Sequence, residues 1–236
     1  MQNILISLNS FLEQLIPNVV SKPQELTKAL FETLRMVGLS GAIAFASGLI
    51  IGILLETTKP GKVLENPWIQ WFLDKLINVF RSIPFVILIT LLLPVTRALA
   101  GTAIGVKGAI IPLIFGTVPF FSRQVEMALA EVNAGLVEAA EAMGSTPGEI
   151  VIHVYLREAV PGLIRGTTLT LVSLIGLTAM AGAVGAGGLG DFAIRYGHSH
   201  RQYDVTLVVV AIILIMVTLI QTIGNVLSEH YSHDAA

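Results

Sequence analysis

Apolar residues run through this chain in long uncharged stretches, and one polar stretch interrupts them. Residues 37–55, 166–190 and 205–228 contain no Asp, Glu, Lys or Arg. Each is long enough to cross about 30 Å of hydrocarbon as a helix, the first when extended back to residue 29. Two shorter runs lie between them: 83–96, bounded by Arg81 and Arg97, and 108–122, bounded by Lys107 and Arg123. With Leu76–Phe80 added to the one and Ala98–Val106 to the other, both reach spanning length. The pattern predicts five transmembrane helices, near 29–55, 76–97, 102–123, 163–186 and 204–228, in a single all-α membrane domain over residues 1–236. Ahead of them, Ile4, Leu8, Phe11, Leu12, Leu15 and Ile16 fall near one face, as in a helix lying in the membrane interface. That N-terminus has no basic n-region and no small-residue cleavage site, which predicts no cleaved signal peptide.

The polar stretch, about 124–160, predicts two short helices and an elbow. From Gln124 to Met143, Ala128, Leu129, Val132, Leu136 and Ala140 recur at spacings of three and four, so one face is apolar. Gly144 stops that helix. Thr146 then serves as N-cap, Pro147 fits the first helical position, and Glu149 completes a capping box. The second helix stripes Ile150, Val151, Val154 and Tyr155, and ends near Pro161. Ala139 and Ala140 leave the first helix slim beside the elbow, where a groove on another protein could grip it.

Composition narrows the class. The 236 residues are 54% hydrophobic and 13% charged, with mean hydropathy +0.79, whereas a soluble domain carries about a quarter charged residues. A net charge of −2 leaves no nucleic-acid footprint. With no cysteine, disulfides and thiolate metal sites are excluded.

The polar stretch resembles the EAA loop of the membrane subunits of bacterial ABC importers. The family pattern is Glu-Ala-Ala, three residues, Gly, nine residues, then Ile-x-Leu-Pro. Glu138-Ala139-Ala140 and Gly144 match it, Val154 stands for the Ile, and Leu156 matches. Arg157 replaces the proline, and Pro161 arrives four residues later. The resemblance implies a cytoplasmic loop that docks into an ABC ATPase dimer, with Glu138, Ala139, Ala140, Met143 and Gly144 as coupling residues. ATP and magnesium would then be bound by that partner, with no cofactor or catalytic residue in this chain. Charge does not orient the chain. With the loop inside, Lys59, Lys62, Lys75, Arg81, Arg123, Arg157 and Arg165 lie inside, and Lys22, Lys28, Arg35, Arg97, Lys107, Arg195 and Arg201 outside, an even tally. The loop alone then implies a bacterial inner-membrane protein with its N-terminus outside and its C-terminus cytoplasmic.

A second stretch, Ala179-Met180-Ala181-Gly182-Ala183-Val184-Gly185-Ala186-Gly187-Gly188-Leu189-Gly190-Asp191 followed by Tyr196-Gly197, is not a phosphate loop. No strand precedes it and no Gly-Lys-Ser/Thr follows. Gly185, Gly187, Gly188 and Gly190 let the chain leave the helix and turn on the outer side, or serve close helix packing. The stretch is similar to the methionine-uptake branch of the ABC importers, over about residues 25–225. That resemblance implies a homodimer around one pathway, an ABC ATPase pair below it, and a lipoprotein delivering methionine from outside.

Pathway candidates are Ser173, Thr178, Met180 and Thr90, small or soft groups near the midplane, any of which can equally be helix packing. Pro84, Pro94, Pro112 and Pro119 free carbonyls in the two middle spans, a feature of pathway-lining helices and of ordinary membrane helices alike. Arg81 either faces the bundle interior or snorkels to the interface. His198, His200, His230 and His233 lack a third ligand and read as solvated side chains rather than a metal site. Two other functions remain open on the sequence: a permease of the same architecture for another amino acid or a quaternary amine, and an ion-coupled carrier. The latter predicts buried acids and an internal repeat.

Overall fold

The computed structural model describes residues 14–233, and among them every regular element is helical. The predicted interfacial helix lies largely outside the described residues; within them Leu15 is exposed and Ile16 half-buried. A short α1 (Pro17–Val20) leads into α2 (Pro23–Thr57), which begins on a proline with Glu25 in its first turn. Later come α6 (Gly105–Ala130), α10 (Val160–Ala181) and α12 (Tyr203–His233). These four carry stretches long and apolar enough to cross a membrane, the third continuing through Ala186.

The remaining expected span, 76–97, is not one helix. It divides into α3 (Pro67–Ser82), α4 (Phe85–Leu91) and α5 (Leu93–Ala100). The residue before a proline is pushed out of the helical region, and Ile83, before Pro84, adopts φ −86°, ψ 121°. Pro94 sits in the first turn of α5, where its missing N–H leaves no gap. By contrast, Pro112 and Pro119 lie inside an unbroken α6. The α4–α5 segment buries Phe85, Leu88 and Leu92 against Ala109, Leu113 and Leu174.

Small residues set the packing of the long helices, since close approach replaces the hydrophobic drive in lipid. A Cβ at Gly48 or Gly52 would meet Phe121 or Val125 at 2.8 and 2.5 Å, so α2 and α6 run side by side with almost no gap. Gly162 and Gly166 of α10 press on Ala128 and Gln124 of α6, and Gly224 of α12 on Thr168 of α10. The chain thus has two ends. At one, Asn18 donates from its backbone and side-chain amides to Asp204 at 2.9 and 3.0 Å, beside the starts of α2 and α12. At the other, the Ser228 hydroxyl donates to the carbonyl of Pro161 at 3.3 Å, where α12 finishes beside the start of α10.

Candidate functional site

The polar stretch folds as the expected hairpin, with one difference in its first arm. A single helix over 124–143 is interrupted: α6 ends at Ala130, and α7 (Ala134–Ala142) starts afresh. Asn133 causes the restart, because its side chain accepts the Gly135 N–H at 2.8 Å and caps the new helix. Gly144 then takes φ +82°. The Ser145 and Gly144 amides donate back to Ala140 and Glu141 at 3.1 and 2.9 Å, a Schellman ending. The capping box follows: the Thr146 amide donates to Glu149 at 2.7 Å, and the Glu149 amide to the Thr146 hydroxyl at 3.4 Å. Its acceptor role holds the Glu149 carboxyl below the usual carboxylate range. The second arm runs α8 (Pro147–Ile150), a π-helical turn Val151–Tyr155, and α9 (Leu156–Glu158), and breaks at Ala159 before α10.

The hairpin has two faces. Val137, Ala140, Ile150, Tyr155 and Ala159 are buried in one cluster with Val125, Ala128 and Leu129 of α6. Glu138, Ala139, Glu141, Ala142, Met143 and Gly144 are exposed, Met143 to 79%. Ala140 is therefore part of the hairpin's own core at 5% exposure, and Ala139 alone of the alanine pair faces outward. Leu136, expected on the apolar face, is 45% exposed.

Behind the hairpin lies a charge network that sequence reasoning missed. Glu56, 1% exposed at the end of α2, accepts Lys59 at 2.7 Å and Lys62 at 2.9 Å. Lys59 reaches on to Glu126 of α6 at 2.8 Å. Glu126 also holds Arg123 at 2.6 Å, and Arg123 bridges to Asp74 and, at 3.0 Å, to Asn78, both on α3. Burial opposes the Lys59 and Lys62 ammonium charges. The hydrogen bonds that Lys59 donates to Glu126 and Glu56, and Lys62 to Glu56, outweigh it, so both pKa values sit above the ordinary lysine value. The signal available in the sequence was the three-residue spacing of Glu56, Lys59 and Lys62, and of Arg123 and Glu126.

At the opposite end, the glycine run forms a tight turn. After α10 the chain kinks within Gly182–Ala186, where Val184 (φ −108°, ψ 19°) and Gly185 (φ +96°) leave the helical region, passes Gly187 at φ +82° and Gly188 at +78°, then enters α11 (Gly188–Phe192) and a π-helical stretch, Ala193–Ser199. Glu32 and Thr33 of α2 cap α11 from outside, accepting the Gly188 and Leu189 amides at 2.8 and 2.9 Å. Gly190 lies against Ala179 of α10, where a Cβ would come within 2.2 Å of its carbonyl oxygen. The Tyr196 hydroxyl donates to Glu25, which raises its pKa above the usual phenol value. Glu25, Glu32, Gly185, Gly187, Gly188 and Tyr196 line a polar cavity of about 490 Å³ together with Lys28, Asp191 and Arg195.

The pathway candidates are not brought together. Ser173 lines a smaller cavity of about 270 Å³ with Phe80, Arg81, Phe85, Phe120 and Leu177. Met180, seven residues on and so on the same helix face, is 41% exposed. Thr178 points about 140° away from Ser173, is buried, and donates to the Ile175 carbonyl at 2.7 Å. Thr90 is exposed on α4 and donates to the Ile87 carbonyl at 2.7 Å. Arg81 is exposed at the rim of the Ser173 cavity. His198, His200 and His230 are exposed, and the described residues contain no group of three or more metal-ligating side chains.

The family described as binding-protein-dependent transport system inner membrane component matches residues 48–234. The chain belongs to that family. It is accordingly a multi-pass membrane permease of the all-α ABC importer fold. It is 46% identical over 210 residues to the probable D-methionine transport system permease protein MetI of Vibrio cholerae, covering 88% of this chain and 92% of that one. It is also 46% identical over 157 residues to the D-methionine transport system permease protein MetI of Escherichia coli K12, covering 66% and 72%. A solved permease chain, from inward-facing conformations of the MetNI methionine ABC transporter, superposes with a TM-score of 0.86 at 43% identity, covering 89% of this chain and 98% of that one. An alginate ABC transporter chain shares the fold at a TM-score of 0.73 and 15% identity.

Proposed function

We propose that this chain is the permease subunit of an ATP-driven methionine importer. Two copies form one pathway across the inner membrane, and an ABC ATPase pair docks on the two hairpins. The observation that carries the reading is the hairpin's division of labour: Ala140 and Tyr155 anchor it to α6, while Glu138, Ala139, Met143 and Gly144 are left bare around a rigid elbow. The names of relatives at 46% identity support the substrate, and the solved methionine ABC transporter chain at 43% identity supports the ATP-driven class.

The hairpin end is cytoplasmic in this reading, because ATP is there. The glycine-turn end then faces out, toward a substrate-binding lipoprotein. The termini fall on opposite sides, N-terminus outside, with the α3–α5 segment making the fifth crossing. The chain itself hydrolyses nothing; ATP and magnesium sit in the partner. Closure of the ATPase pair draws the hairpins together and turns the dimer from inward-open to outward-open. Ser173 and Met180, on one face of α10, are the pathway residues this arrangement favours.

Gentle affinity purification of the chain from its native membranes tests the docking. An ATPase recovered in equal stoichiometry, and lost on Ala139→Trp, is the expected result. A chain that elutes alone while other membrane complexes survive would overturn it.

A further inference from the structure

We propose that Lys62 is a positioning residue that carries a displacement of the hairpin from its seat on α6 to α2 and α3, an inference that rests on the ATPase-docking reading above. The hairpin's second arm meets the bundle through Tyr155, which is 1% exposed. The Lys62 ammonium lies 5.9 Å over the Tyr155 ring, and the same nitrogen is 2.9 Å from Glu56. From Glu56 the contacts continue without a gap. Lys59 joins it to Glu126 on α6, and Arg123 carries the link to Asp74 and Asn78 on α3. One side chain therefore extends the hairpin's direct packing on α6 into a charge network shared with α2 and α3.

Two features make this link stiff. The loop that carries Lys62 is pinned at both ends, the Leu64 amide donating to Thr57 and the Asn66 amide to Thr58, each at 3.0 Å. The backbone that carries Lys62 is thereby tied to the end of α2. Glu56 is also buried, and a buried carboxylate stripped of partners is strongly disfavoured. A moving Tyr155–Lys62 pair thus drags Glu56 or forces the network to re-pair, which gives the inner ends of α2, α3 and α6 discrete rather than graded positions.

The test uses the complex of the full chain with its ATPase, reconstituted in vesicles, with radiolabelled methionine uptake measured against ATP hydrolysed. Lys62→Met should keep the ATPase bound and hydrolysis near wild type, while uptake per ATP falls about tenfold, the scale of one strongly coupled residue. Lys62→Arg should restore most of it, since it keeps both the charge and the stacking. Should Lys62→Met fail to accumulate, Glu126→Gln serves instead: Lys59 keeps Glu56 and Arg123 keeps Asp74, and uptake per ATP should still fall severalfold. Unchanged uptake per ATP would overturn the proposal and leave the docking reading standing. So would uptake, hydrolysis and complex yield falling in proportion, which marks a merely structural role. A wild-type chain that recruits no ATPase would remove the docking reading and this inference with it.

Discussion

Glu32 and Gly188, 156 residues apart, are joined by a 2.8 Å hydrogen bond in which the glycine amide donates to the carboxylate. This bond fastens the glycine turn to the start of α2. Gly188 sits at φ +78°, and a Cβ there would meet the Thr33 hydroxyl at 2.7 Å and the Met36 methyl at 2.8 Å. Gly188→Ala should therefore cost at least about 1–2 kcal/mol from the left-handed backbone alone. A thermal unfolding midpoint in detergent equal to wild type would contradict that placement.

The approach of α2 to α6 makes a paired prediction. A Cβ at Gly52 would lie 2.5 Å from that of Val125 and 2.7 Å from the Ser122 carbonyl, whereas nothing stands within 4 Å of one at Gly38. Gly52→Ala should destabilise by about 1–3 kcal/mol through overpacking. Gly38→Ala, on the same helix, should be neutral or stabilising by up to about 1 kcal/mol. Equal effects at the two sites would show that α2 does not present position 52 to α6.

Adjacent alanines in the hairpin should part company. Ala139→Trp changes only the outward face, so the chain should accumulate normally and lose its ATPase. Ala140→Trp must force its way into the cluster with Ile150 and Tyr155, and chain yield should fall before docking is ever tested. Identical phenotypes would mean the two faces have been assigned the wrong way round.

The capping box gives a pH dependence with a definite sign. Glu149 has a lowered folded pKa, the Thr146 amide being its main cause. Its contribution is complete above the unfolded glutamate value of about 4.3 and is lost as pH falls through the folded value. Hydrogen exchange at the start of α8 should therefore quicken in acid for wild type but not for Glu149→Gln. The same acid response in both would remove the box as its source.

Both tryptophans of the chain, Trp68 and Trp71, lie at the start of α3, 80% and 56% exposed. Tryptophan favours the headgroup region, so intrinsic fluorescence reports on this one helix. Lipids brominated near the headgroup should quench it more than lipids brominated deep in the acyl chain. Quenching by a water-soluble quencher alone would place α3 off the membrane.

Much of this was legible because the signals are local. Gly144 and the Thr146–Glu149 box lie within six residues of one another, and each specifies its own hydrogen bond. The long uncharged runs marked α2, α10 and α12 by length, and α6 was reached only by extending a shorter run. What stayed hidden depends on distant segments. Pro84 and Pro119 look alike in sequence, yet the chain breaks at Ile83–Pro84 and α6 runs on through Pro119. Glu56, Asp74 and Glu126 come from three helices, so the three-residue spacings mark the local pairs but not the cations shared between helices. The Asn133 restart was masked by an apolar periodicity that continues across it, and Leu136 was assigned to the wrong face for that reason.

The central claim is that this chain passes methionine inward at the expense of ATP hydrolysed by a partner docked on the hairpin. The most direct measurement is uptake of labelled methionine by vesicles that contain the purified complex, with ATP supplied on the hairpin side. Uptake that needs ATP, and that Gly144→Pro abolishes while the chain stays inserted, is the predicted result. Uptake that continues without ATP, or survives Gly144→Pro unchanged, would contradict the account.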